Sequence, residues 1–208
     1  MKHLVQVFAK APEPGRTKTR LIPLLGAEGA AALHARMARD TLQCLTAHPD
    51  LAVELWCHPH DHHPFFEDCR RRFDVPLFRQ RGGELGARMD HALHHGLDRQ
   101  PHALLVGTDC PGLRADDLLE AGRALQAGAD AVLGPALDGG YYLIGLRRPR
   151  PRLFRDMPWG SARVLDLTRH RLRQAGLRWH ELTPRADVDR PEDLRHYPHL
   201  AGAGDAPC

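Results

Sequence analysis

Lysine is nearly missing from this chain of 208 residues: Lys2, Lys10 and Lys18 are the only three among 29 basic side chains, the rest being arginine. Cysteine is scarce and scattered. The five (Cys44, Cys57, Cys69, Cys110 and Cys208) are odd in number and contain no Cys-x-x-Cys pair, which argues against a zinc knuckle and a disulfide framework and implies a reducing, cytoplasmic setting. No apolar run approaches the ~18 residues that cross a membrane, and Leu4 to Ala9 is too short for a signal-peptide core. No membrane partner is expected. A net charge of only +3 is too mild for a dedicated nucleic-acid binder. Neither Gly-x-x-x-x-Gly-Lys-Ser/Thr nor Gly-x-Gly-x-x-Gly occurs, so neither a P-loop ATPase nor a dehydrogenase is supported.

What is present is concentrated. Two of the three lysines fall in one Gly/Pro-bent loop, Lys10 to Leu21, directly after an apolar strand, and Arg16 and Arg20 bring its cations to four. A lysine is a compact point charge and an arginine a rigid fork, and phosphate sites use both. Gly15 permits close backbone approach, and Lys10, Arg16, Lys18 and Arg20 together suffice to neutralise a di- or triphosphate. The partner expected is a small anion.

Strand-like and helix-like segments alternate along the chain. Leu4–Ala9, Leu51–Cys57, Val75–Phe78, Ala103–Gly107, Ala131–Gly134, Tyr141–Leu146 and Leu177–Leu182 read as strands. Helices are expected over Ala27–Thr46, with Leu33, Met37, Thr41 and Cys44 on one stripe, and over Pro64–Phe73, Glu84–Leu97, Asp116–Gln126 and Ser161–Gln174, with Ser161 as cap. Ala103–Gly107 is apolar without alternation, as in the middle of a parallel sheet. The pattern predicts one α/β domain over residues 1–200, a three-layer α/β/α sandwich with a mostly parallel central sheet, and a disordered tail at 201–208. Ligands of such sheets bind at the carboxyl ends of the strands.

Three further segments fall at such ends. In Gly107-Thr-Asp-Cys-Pro111, Asp109 is placed to hold a divalent cation opposite the cationic loop, or else to cap the helix that follows. In Asp187-Val-Asp189, alternation puts two carboxylates on one side of an extended chain, and either completes a metal site with Asp109; Asp189 alternatively caps the helix begun by Pro191. Between Gly134 and Tyr142, Asp138 is followed by Gly139 and Gly140, which leave room for a ligand to touch backbone or make a simple hairpin turn. His58, His60, His62 and His63 cluster, and His91 and His95 stand one helical turn apart, but with 15 histidines chance clustering and surface exposure are the simpler account. The arginine-rich stretch Arg147 to Arg155 reads as an exposed connection rather than a second anion site.

Taken in order, Phe8-Ala-Lys-Ala-Pro-Glu-Pro-Gly-Arg-Thr-Lys-Thr-Arg-Leu21, Gly83-Glu-Leu-Gly-Ala-Arg-Met89, Gly107 to Pro111, Asp138-Gly-Gly-Tyr-Tyr-Leu-Ile-Gly145, Trp159-Gly160 and Asp187-Val-Asp-Arg-Pro-Glu-Asp-Leu194 resemble the nucleotide-diphospho-sugar transferase superfamily, with its GT-A-like fold. The match is closest to the bacterial glycosyltransferase-like group similar to 2-phospho-lactate guanylyltransferase, the DUF2064 type, often labelled arsenosugar-biosynthesis transferases. The resemblance implies that the first loop binds nucleotide phosphates, that Gln80, Gly83 and Gly86 lie against the nucleobase, and that Asp109, with Asp189 ranked second, holds Mg²⁺ or Mn²⁺. Arg190 stands where the group usually has Thr.

The leading expectation is a divalent-metal-dependent glycosyltransferase that uses a nucleotide-diphosphate sugar and a small-molecule acceptor. Lys18 and Asp138 are its catalytic candidates, Asp138 as the acceptor-side base. The alternative is a nucleotidyltransferase that joins an NTP to a phosphorylated small molecule and releases pyrophosphate. A silent nucleotide-binding module is disfavoured, since phosphate binding alone needs no carboxylates in three loops.

Overall fold

A computed structural model describes residues 2–201, so the expected tail lies outside the described residues except for Ala201. In chain order the elements are β1 (His3–Lys10), α1 (Ile22–Thr46), β2 (Leu51–His58), α2 (Pro64–Phe73), β3 (Leu77–Arg79), α3 (Leu85–Leu97), β4 (Ala103–Val106), α4 (Ala115–Gln126), β5 (Ala131–Pro135), β6 (Tyr141–Leu146), α5 (Val164–Gln174) and β7 (Trp179–Glu181). The seven strands form one sheet in the order β3-β2-β1-β4-β6-β5-β7. All neighbours are parallel except β6, which runs against both β4 and β5.

Strand alternation sends side chains to two separate cores. Val5, Val7, Leu55 and Leu104 face α1, α2 and α4, where Leu42, Leu45, Phe66, Leu118 and Leu125 are buried. Leu4, Phe8, Trp56, Leu105 and Ile144 face the other way, onto Met89 and Leu93 of α3 and Leu165 and Leu172 of α5. Both faces of the central strands are thus dry, which is why their sequences are continuous apolar runs. The three-layer α/β/α sandwich expected from the sequence is what forms.

One helix start differs from expectation. A first turn from Ile22, opened by Pro23, leads into α1, but Gly26, at φ 71° and ψ 171°, separates it from the helix proper, which runs from Ala27 as expected. α5 begins at Val164, and Ser161 is not its cap: its hydroxyl accepts from the Arg163 N–H at 3.4 Å in a turn ahead of the helix. His91 and His95 set their rings edge-on to Trp56, with centroids 5.9 and 5.4 Å away.

A third small cluster shapes the site. Val188 packs with Leu21, Leu33, Met37 and Leu200, so the C-terminal segment lies along α1. Cys44, Cys57, Cys69 and Cys110 are buried free thiols.

At the amino end of the sheet, His3 Nδ1 and His102 Nε2 lie 2.8 Å apart and both rings are buried. Gly122 makes room, since a Cβ there would stand 2.3 Å from His3 Nδ1. Burial, followed by the neighbouring His3, pushes His102 down from 6.5 to about 4, and burial also lowers His3. Below pH 6.5 the unfolded chain takes up protons that the folded pair refuses. Stability conferred by the neutral pair is therefore complete above pH 6.5 and is lost as pH falls towards 4. Urea unfolding of wild type should show this loss, and His102→Asn should flatten the slope by up to about 1.4 kcal/mol per pH unit; parallel wild-type and variant profiles would refute the assignment.

Candidate active site

Three segments remote in sequence meet at the carboxyl ends of β1 and β4. The cationic loop leaves β1 and turns at Gly15 (φ 77°), and Lys18 then adopts a left-handed backbone, φ 50° and ψ 43°. That conformation is unfavourable for a non-glycine residue. It aims the Lys18 ammonium inward, where it is buried, 2.7 Å from Asp109 Oδ1 and in hydrogen bond with the carbonyl of Val188. The Val188 N–H in turn donates to the Asp109 carbonyl at 2.8 Å. Lys18 is a tie between loops rather than a free phosphate ligand.

The other cations of the loop are also engaged. Lys10 Nζ donates to the Arg16 carbonyl at 2.5 Å and holds the loop's shape. Arg16 pairs with Glu13 at 3.2 Å and is largely exposed. Arg20 is ion-paired with Asp189.

Asp189 is not among the residues that line the pocket described below. Its backbone N–H donates to Asp193 Oδ2 at 3.0 Å, and the Arg190 N–H does the same at 2.7 Å, so the chain bends into the turn begun by Pro191. Asp187 goes to the pocket instead.

That pocket is a cavity of about 410 Å³ whose walls include Asp109, Asp138 and Asp187. Asp187 Oδ1 is buried and has no hydrogen-bond partner among the described residues. Burial, then the negative charges of Asp109 and Asp138, push its carboxyl up to about 7. Burial acts on Asp109 in the same sense, but Lys18 and then His34 outweigh it and hold Asp109 below the ordinary value. Like charges gathered in a cleft call for a cation, and one of them already has Lys18. Among the described residues no three His, Cys, Asp or Glu side chains stand as a ready ligand set. Two carboxylates with one unsatisfied oxygen nevertheless suit a hard divalent ion that keeps water and substrate oxygens, as Mg²⁺ and Mn²⁺ do.

The remaining predicted residues divide. Asp138 lines the pocket; its Oδ1 accepts from the Gly140 N–H at 2.8 Å, closing the β5–β6 turn, while Oδ2 makes no hydrogen bond among the described residues. Gln80 also lines it, but its amide N–H donates to the carbonyl of Trp56 at 2.8 Å, locking the ends of β2 and β3 together. Gly86 is buried against the neighbouring chain, since a Cβ there would lie 2.5 Å from the Phe154 carbonyl oxygen and 3.0 Å from Trp159 Nε1. Its lack of a side chain serves packing. Gly83 is exposed and open.

His34 and Arg88, neither assigned a role from sequence, line the cavity, as does His58, which the sequence offers only as one of a histidine cluster. The signal for His34 was a polar residue beside the apolar stripe of α1: it is buried, and its Nε2–H donates to the Lys10 carbonyl at 2.9 Å. Arg88 lies inside the quoted Gly83–Met89 segment without a role being given to it.

If Lys18 is a tie, Lys18→Met should cost about 1.5–3 kcal/mol, the worth of a hydrogen bond to a charged group. Lys18→Met combined with Asp109→Asn should cost less than the two single changes added together, a coupling readable by urea unfolding. Strict additivity would show that the contact carries no stability.

Comparison with known proteins places this arrangement. A family model, described as an uncharacterized protein conserved in bacteria (DUF2064), matches residues 41–161. A crystal structure from Desulfovibrio desulfuricans G20, provisionally named a nucleotide-diphospho-sugar transferase, is 32% identical with a TM-score of 0.85, over 98% of this chain and 90% of that one. The inositol-1-phosphate CTP transferase from T. maritima is similar in fold, at 13% identity and a TM-score of 0.58, over 99% of this chain and 98% of that one. Glucosyl-3-phosphoglycerate synthase from Mycobacterium tuberculosis, solved with Mn²⁺ and UDP, gives 12% identity and 0.54, over 96% and 76%. No curated protein matches the sequence.

Proposed function

The chain belongs to the DUF2064 family of bacterial proteins and to the nucleotide-diphospho-sugar transferase superfamily, and from that premise we propose that this transferase moves a glycosyl group from a nucleotide-diphosphate sugar to a small-molecule acceptor. The observation that carries the reading is a third carboxylate in the pocket beyond Asp109 and Asp187: Asp138, with one oxygen free of hydrogen bonds. Asp109 and Asp187 would hold the divalent ion, which supplies positive charge where the departing diphosphate accumulates negative charge. Gly15, Arg16 and the backbone of the loop would position the phosphates, with Lys18 adding its charge from below. Asp138 would take the proton of the acceptor hydroxyl as the new glycosidic bond forms.

Nucleotidyl transfer is the second reading, favoured by the sequence at the end of β4, where Asp109-Cys-Pro111 resembles Asp-x-Pro rather than Asp-x-Asp. In that case the acceptor carries its own phosphate and needs no base.

With Mn²⁺ present, calorimetry should find nucleotide binding weakened at least about tenfold in both Asp109→Asn and Asp187→Asn. Asp189→Asn should bind as wild type does. A loss in Asp189→Asn with none in Asp187→Asn would reverse the assignment of ligands.

The leaving group separates the two chemistries. Nucleoside diphosphate should appear from a nucleotide sugar, and Asp138→Asn should lower kcat far more than donor affinity, since a base acts chiefly in the transition state. Pyrophosphate released from an NTP, with Asp138→Asn fully active, would establish nucleotidyl transfer instead.

A further inference from the structure

One end of the pocket is acidic, and the other has the opposite charge. His58 closes β2 in register with Lys10 at the end of β1, and Arg88 reaches it from α3. Arg88 Nη1 lies 2.8 Å from Nδ1 and 2.9 Å from Nε2 of His58. A guanidinium only donates, so the imidazole accepts and is neutral at the nitrogen it offers. Arg88 Nε is buried and has no hydrogen-bond partner among the described residues.

Arg88 differs from three other part-buried guanidiniums, each of which has a carboxylate partner. Arg99 is matched by Glu54 at 2.7 Å, Arg169 by Glu181 at 2.7 Å and Arg185 by Asp117 at 2.7 Å. Arg88 makes no ion pair among the described residues, although it lines the cavity and is partly desolvated. A charge withdrawn from water without a counterion is costly unless something supplies one. A neutral histidine orients the fork without cancelling its charge, whereas a carboxylate in the same place would occupy it.

We propose that Arg88, oriented by His58, is an oxyanion-binding station that takes a phosphate or carboxylate oxygen of the ligand filling this pocket. β1 separates β2 from β4, so the station stands two strand spacings, about 10 Å, from the strand that leads to Asp109. The pocket therefore grips at both poles. The inference deepens the reading of this cavity as a nucleotide-transfer site and rests on that reading only for the source of the anion, which is either the donor's phosphates or an acidic group on the acceptor.

The test uses pyrophosphate and the whole protein in chelator, so that no metal at the carboxylates contributes. Pyrophosphate should shift the ring ¹H and ¹⁵N resonances of His58. Its affinity should fall about ten- to hundredfold in Arg88→Gln, as expected for loss of a charge-assisted hydrogen bond, and recover in large part in Arg88→Lys. His58 resonances that stay put in wild type overturn the proposal without recourse to any variant, and so does equal affinity in a folded Arg88→Gln. A saturating nucleoside diphosphate that displaces pyrophosphate from His58 identifies the donor's phosphates as the natural occupant. Pyrophosphate that still binds beside the nucleotide identifies an acidic acceptor. A protein that binds no nucleotide yet still loses pyrophosphate in Arg88→Gln keeps the station and refutes the proposed function.

Discussion

The Lys18 ammonium is the point on which the site depends. It joins three segments that lie far apart in the chain, through the carboxylate of Asp109 and the carbonyl of Val188. Two carboxylates 4 Å apart repel by about 4 kcal/mol at an effective dielectric of 20, so a cleft walled by Asp109, Asp138 and Asp187 needs a resident cation. Lys18 supplies it at the expense of a left-handed backbone. The same contact fixes where Val188 lies, and Val188 fixes Asp187 on the pocket side and Asp189 off it.

Much of the fold was legible because burial on both faces leaves a plain mark. Leu4–Ala9 and Ala103–Gly107 have no polar alternation, and they are the adjacent strands β1 and β4 at the centre of the sheet. The stripe Leu33, Met37, Thr41 and Cys44 is the buried side of α1. The direction of β6 was not legible in the same way, since an apolar run carries no sign of which end pairs with which. The helix start at Val164 depended on a turn whose effect is felt only once the chain is in place.

The site was legible by segment and less so by residue. The Asp109 turn and the Asp138 turn reach the cavity, as strand ends predict, whereas of the cationic loop only Lys10, the last residue of β1, lines it. Spacing alone made Asp187 and Asp189 equivalent. What separates them is a pair of backbone hydrogen bonds to Asp193 and an ion pair with Arg20, neither of which has a sequence pattern of its own. Lys18 and Arg20 looked like free charge in the loop because their partners lie about ninety and a hundred and seventy residues away. His34, His58 and Arg88 entered through tertiary contact alone.

The clamp at Val188 also orders events in time. A nascent chain that has emerged through β6 holds six of the seven strands and both central ones, yet Lys18 has no carbonyl to bond and Asp109 has no neighbour on its open side. The apolar patch of Leu21, Leu33 and Met37 is uncovered at that stage, since Val188 is what lies over it. Domains tend to fold from their amino end as they are synthesised. The sheet can thus assemble early, while Asp187 joins the walls of the cleft only when the C-terminal segment is laid against α1.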